Sequence, residues 1–327
     1  MSETPTTTSP GVATLRRPAA VRLTWLLAGV GVLVVLCIAS VAFGARIVSL
    51  DEVFAALTGN TDSVGSAAVI ARIPRTVLAV LVGAALALSG ATLQAVTRNP
   101  LADPGILGLS SGAALAVVIG LAFFGITNPI ATVVVAIVGA TGAGVFVYMI
   151  GSLGRGGATP LKLALAGAAS AAAFTSLVSA ILLPRVDVMS AFRFWQIGGV
   201  GGATWDRIGL VAPFLVIGAI VCFANARGMN SLALGDDLAA GLGEHVGRTR
   251  LVAALGAFVL CGAATAIAGP IGFVGLVVPR LCRLLVASDI VGRVIARPAE
   301  VEVGIVTALI GAPFFIWIVR RQKVREL

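Results

Sequence analysis

A chain of 327 residues that is 58% hydrophobic and only 11% charged, with mean hydropathy +1.06, lacks the polar surface a soluble domain needs. Forty glycines suit helices that pack closely in lipid, so the composition reads as an all-α polytopic membrane protein. The net charge of +9 lies mostly in tails and loops, where it reports orientation. No basic run is interleaved with aromatics, which excludes a nucleic-acid partner.

Residues 1–22 are polar and rich in Pro and Thr, and read as a disordered cytoplasmic tail. The remainder, 23–327, reads as one transmembrane domain. The first span, residues 24–43, follows Arg16, Arg17 and Arg22, which places the N-terminus inside. Residues 46–74, with Asp51, Glu52 and Asp62, then lie outside. The second span covers 76–96, with Gly83, Ala87 and Ala91 as a stripe for close packing. RNPLADP (98–104) is a polar break on the inside, and spans three and four cover 105–126 and 129–150. The loop GRGGATP is not a phosphate-binding loop, because no Gly-Lys-Ser/Thr follows. The fifth span covers 161–183, residues 184–205 are an outside segment, and the sixth span covers 208–223. Spans seven and eight start at Leu251 and Pro270, and the last clear span covers 303–319. It is closed by Arg320, Arg321, Lys323 and Arg325, which puts the C-terminus inside as well. Cys37, Cys222, Cys261 and Cys282 are scattered through apolar runs without a CxxC pair. They read as small apolar residues and give no metal site.

Between spans six and seven lies RGMNSLALGDDLAAGLGEHVGRTR (227–250), which holds the only histidine, His245. Leu234, Leu238 and Leu242 recur every four residues and share one helical face. Gly235, Gly241 and Gly243 break the helix into short pieces. On these residues alone, a docking surface for a soluble partner and an ordinary solvated loop both stand. At the end of span two, Arg98 is expected to pair with Asp103, and Asn99 with Pro100 to turn the chain. Arg75-Thr76, Leu78 and Gly83 are echoed by Arg248-Thr249, Leu251 and Gly256, the pattern an inverted repeat would leave.

The run RIPRTVLAVLVGAALALSGATLQAVTRNPLADPGILGLSSGAA (72–114) resembles the FecCD family of ABC-importer permeases, which take up iron–siderophores, haem and cobalamin. FRFWQIGGVGGATW, LALGDDLAAGLG, GPIGFVGLVVPRLCRLL and AEVEVGIVTALIGAPFF continue the resemblance in order. It implies a ten-span cobalamin-permease-like helical bundle, of which about nine spans are visible here. It implies two permeases, identical or different, around a central pathway in the cell membrane. Two cytoplasmic ABC ATPases would dock on the coupling segment 226–250, through Leu234, Gly235, Leu238, Ala239, Leu242 and Gly243. A substrate-binding protein would dock outside on Arg72, Arg75 and Arg293. No catalytic residue and no cofactor in this chain are implied, since ATP is hydrolysed by the partners. Fe(III)-siderophore import is the leading reading, with cobalamin or haem import the alternative. An ion-coupled secondary transporter is the alternative from another class, and it would show charged residues at mid-span.

The family pattern is broken at residues 285–286, where LCRLL runs directly into VASDIVGRVIARPAE. About 20 residues, one span, are missing there. The odd number of spans between two inside termini shows the same defect. Fusing 270–296 into one helix would bury Arg280, Arg283 and Asp289 in lipid. This form is therefore expected to transport poorly.

Overall fold

The computed structural model describes residues 19–42, 52, 56, 63–99, 102–105, 107–154, 159–197 and 199–271. Spans eight and nine, the 285–286 junction and Arg293 lie outside the described residues, as do the basic C-terminal tail and residues 1–18. Among the described residues all regular structure is helical: α1 Ala19–Ala42, α2 Val64–Thr97, α3 Leu109–Phe124, α4 Pro129–Ser152 and α5 Pro160–Leu182. Then come α6 Val186–Ile197, α7 Trp205–Ala224, α8 Ala226–Leu232, α9 Asp236–Gly241 and α10 Val246–Ala268. Five of these (α2, α4, α5, α7 and α10) are long and apolar enough to cross a membrane, and α1 and α3 hold shorter apolar stretches.

Helix α10 is the spine. Its alanines 253, 254, 257, 263 and 264 and its Phe258 are all buried, and it packs against α2, α4 and α7. Small side chains make this possible, because between apolar helices in lipid the attraction comes from close van der Waals contact rather than from escape from water. A Cβ on Gly218 of α7 would stand 2.7 Å from Leu260 Cγ and 3.1 Å from the Gly256 carbonyl oxygen. The α3–α4 crossing is as close: a Cβ on Gly139 would lie 2.7 Å from the Gly112 carbonyl oxygen. Helices α2 and α10 are also pinned in mid-bundle, where buried Ser89 Oγ donates to the Ala257 carbonyl at 2.7 Å. The outer helices α5 and α7 keep large apolar side chains such as Leu165, Leu177, Ile217 and Ile220 more than half exposed, the surface that lipid or another subunit would cover.

Three boundaries differ from the sequence reading. Helix α1 begins at Ala19, so the last four residues of the expected tail are helical. Helix α2 begins at Val64, twelve residues before the expected span, and runs through Pro74. A capping box starts it: Ser63 Oγ accepts from Ser66 N at 3.0 Å, and Ser66 Oγ accepts from Ser63 N at 3.3 Å. At 34 residues it is about 51 Å long, more than the roughly 30 Å of hydrocarbon, so Arg72 and Arg75 sit on a helix that extends past the span. Residues 186–197, read as part of an outside segment, form α6. Its Phe192 is buried and stacks on Trp195, whose Nε1 donates to the Ala266 carbonyl at 3.3 Å.

Candidate functional site

The end of the bundle where α2 stops and α10 starts carries the insert α8–α9. Backbone geometry breaks the insert where glycine was expected to break it: Gly235 has φ +119° and Gly243 φ +83°, values a side chain would strain. Gly241 does not break it, being the last residue of α9. Helix α9 presents one face outward and seats the other. Leu234, Leu238 and Leu242 are 60%, 62% and 68% exposed, whereas Ala239 is fully buried. Three large apolar side chains in a row on a polar insert are an unpartnered patch rather than scattered surface leucines.

Helix α9 is tied down at both ends. At its start, Asp236 Oδ1 accepts from Arg250 Nη2 of α10 at 2.9 Å and from Arg98 Nη2, at the end of α2. Arg98 is the residue that stops α2, with left-handed backbone at φ 50°. Past its other end, the Glu244 amide donates to the Ala239 carbonyl at 3.0 Å, and Glu244 Oε1 accepts from Thr249 Oγ1 of α10. Helix α8 lies against this second tie. A Cβ on Gly228 would stand 2.6 Å from Thr249 Cγ2 and 2.9 Å from Glu244 Oε1.

The expected Arg98–Asp103 pair is not formed, since Arg98 binds Asp236 instead. Asp103 is buried in the turn between α2 and α3 and accepts from the Gly105 amide at 3.1 Å. Burial pushes its carboxyl up to about 6, and the Gly105 hydrogen bond opposes that rise.

At the opposite end, Arg72 is half-buried, and its Nη1 donates to the Val41 and Ala42 carbonyls at 3.0 and 3.3 Å. The Arg75 guanidinium lies beside Gly201, and Arg207 Nη1 donates to the Gly202 carbonyl at 3.4 Å. Beneath this rim is a cavity of about 440 Å³ lined by Trp195, Gly199, Gly201, Gly202 and Arg207. Sequence reasoning named Arg72 and Arg75. It missed Arg207, and it gave no role to Arg250 or Gly228 within the 227–250 stretch. Asp236 and Arg98 are 138 positions apart, and no local pattern joins them. Among the described residues no cluster of three or more His, Cys, Asp or Glu could hold a metal.

Comparison with known proteins finds the FecCD transport family over residues 32–321. The ferric enterobactin transport system permease protein of Escherichia coli (strain K12) is 41% identical over 92% of this chain and 97% of the relative. The iron(3+)-hydroxamate import system permease protein of Bacillus subtilis (strain 168) is 40% identical over 91% and 83%. The hemin transport system permease protein of Yersinia pestis is 34% identical over 89% and 93%. A solved metal-chelate type ABC transporter in an inward-facing conformation superposes with TM-score 0.76 at 26% identity, covering 91% of this chain and 99% of that one. The enterobactin-permease alignment runs over 327 positions but uses 92% of this chain, and the hydroxamate-permease alignment runs over 320 and uses 91%. About 26 positions in the first and about 22 in the second, in total close to the length of one span, face no residue here.

Proposed function

The chain belongs to the FecCD transport family, and from that premise we propose that it is the membrane-spanning permease subunit of an ABC importer for Fe(III)-siderophores. The observation that carries the mechanism is the exposed trio Leu234, Leu238 and Leu242, on α9 and just beyond its ends, with Ala239 of α9 buried beneath and Gly235 and Gly243 turning the chain on either side of the helix. This is the surface on which a cytoplasmic ATPase docks, one for each of two permease subunits, identical or different. The termini and α9 then share the cytoplasmic side. The opposite end receives the substrate-binding protein at Arg75 and Arg293, where complementary charge orients docking, while Arg72, bonded to the Val41 and Ala42 carbonyls, holds α1 in place beside them. The permease itself hydrolyses nothing; its spans open and close a path as the ATPases push on α9. Haem is the second substrate reading, favoured by the hemin-permease relative. Loss of most of a span at 285–286, where LCRLL runs directly into VASDIVGR, would account for the number of positions without counterpart and would impair transport.

Co-expression with the cell's ABC ATPase subunits, followed by purification through this chain, tests the reading. The unmodified chain retains the ATPase. Leu238→Asp still inserts but lowers ATPase affinity by about 30-fold or more, the loss expected of a buried interface anchor. An unmodified chain that retains no ATPase, or a Leu238→Asp chain that retains it fully, overturns the docking. Ferric-chelate uptake in the same cells, lacking their own permease, reads the impairment, and uptake equal to that of a full-length relative sinks that part.

A further inference from the structure

The exposed leucines say where force would enter, but they do not say how it leaves α9. Two glycines with positive φ flank the helix. A six-residue helix between two such points is free to swing unless something holds it, and swinging would absorb the displacement locally.

Asp236 is placed to prevent this. It is the first residue of α9, directly after Gly235, and one carboxylate oxygen meets two guanidinium groups. One belongs to Arg98, at the last turn of α2, and the other to Arg250, near the start of α10. These two helices are themselves joined in mid-bundle by Ser89 and Ala257. Glu244, with Thr249, ties the other end of α9 back to α10. The Arg250 side chain is only 18% exposed, and its Nε is buried without a partner among the described residues. Its charge therefore depends on Asp236, because a part-buried guanidinium with no counter-charge is costly.

We infer that Asp236 is a positioning residue that makes α9 a rigid extension of α2 and α10, so that displacement at the docking surface moves both helices instead of bending the insert at Gly235 and Gly243. This rests on the ATPase-docking reading for its source of force. The geometry of the clamp stands apart from that reading.

The test places spin labels at Ala91→Cys on α2 and Ala240→Cys on α9, both exposed positions, after the four native cysteines are replaced by alanine. Distances are measured in the full chain, alone and with docked ATPase, with and without trapped nucleotide. With Asp236 present, the α2–α9 distance is one narrow population that nucleotide does not change. Asp236→Asn widens the distribution about twofold and makes it nucleotide-dependent, the behaviour of a hinge, while the chain still inserts. Asp236→Glu, which keeps the charge, restores the narrow population. An Asp236→Asn distribution as narrow as the parent's overturns the inference. So does an Asp236→Glu distribution as wide as that of Asp236→Asn, or a nucleotide-dependent distance in the parent. Failure of any ATPase to bind the parent defeats the docking reading, and the nucleotide-free widths then still decide whether the clamp exists.

Discussion

Toward each end of α2 an arginine reaches out, but to different partners. At one end Arg72 donates to the carbonyls of Val41 and Ala42, the last turn of α1. A basic side chain there satisfies carbonyls that have no partner within their own helix. At the other end Arg98 reaches across the fold to Asp236 on the insert. The first contact fastens one span to its neighbour in sequence. The second, together with Arg250 of α10, fastens two central helices to the insert. The difference gives the ends different work: one holds the body together, and the other connects the body to the insert α8–α9.

The largest contrast between the ends is steric. At the α9 end, Gly228 of α8 faces Thr249 and Glu244 so closely that a Cβ would stand at 2.6 and 2.9 Å. At the Arg75 end, a Cβ on Gly201 would meet nothing nearer than Arg75 Nη1 at 3.7 Å, ordinary contact. Gly228→Val is expected to cost about 3 kcal/mol by overpacking, and to break the Glu244–Thr249 tie. Gly201→Ala should cost less than about 0.5 kcal/mol, as ordinary surface changes do. Thermal unfolding of the two variants in one detergent checks this. Equal losses would show that the α9 end is packed no more tightly than the other.

Asp103 sharpens the contrast through charge. It lies five residues beyond Arg98, yet Arg98 turns to Asp236, which leaves the Asp103 carboxyl buried with the Gly105 amide as donor. Burial raises its folded-state value to about 6 from 3.8. An acid raised on folding binds an extra proton in the native state between those values. Its stabilisation is therefore complete below about pH 4 and is lost as pH rises through 6. Asp103→Asn keeps the acceptor and removes the charge. It should stabilise the protein by about 2 kcal/mol at pH 7 and flatten its unfolding temperature between pH 4 and 6 relative to the parent. An unchanged pH profile would mean that Asp103 is solvated or paired.

Most of the architecture was legible in the sequence because lipid permits few solutions. Apolar runs longer than about 17 residues must become helices, and the spans at 129–150, 161–183 and 208–223 match α4, α5 and α7 closely. The exposed leucines and the breaks were legible too, since Leu234, Leu238 and Leu242 repeat every four residues and Gly235 and Gly243 interrupt the run. Polar starts and ends were not. The Ser63–Ser66 capping box launches α2 well before its apolar run, and an apolar face with buried Phe192 folds α6 inside what reads as a loop. The partner of Arg98 was misassigned because the nearest acid in sequence, Asp103, was favoured over one 138 positions away. The echoed positions agree in burial only in part: Thr76 and Thr249 are both buried, as are Gly83 and Gly256, whereas Leu78 is buried and Leu251 exposed.

The smallest expected effect separates the two arginines at the far end of α2. Arg72 spends its guanidinium on α1, whereas Arg75 leans over the glycine rim beside Gly201, above the cavity that Arg207 also lines. If that rim receives an acidic face of a binding protein, Arg75→Glu should weaken the complex about fivefold at low salt, mostly through slower association, and reduce its salt dependence. Arg72→Ala should instead lower thermal stability and leave the association rate nearly unchanged, because the carbonyls of Val41 and Ala42 lose their donor. Titration of a labelled substrate-binding protein onto reconstituted permease at two ionic strengths gives both quantities. Equal effects on association from the two substitutions would mean that α2 presents its far end as one undivided basic surface, and that the tie to α1 does not set Arg72 apart.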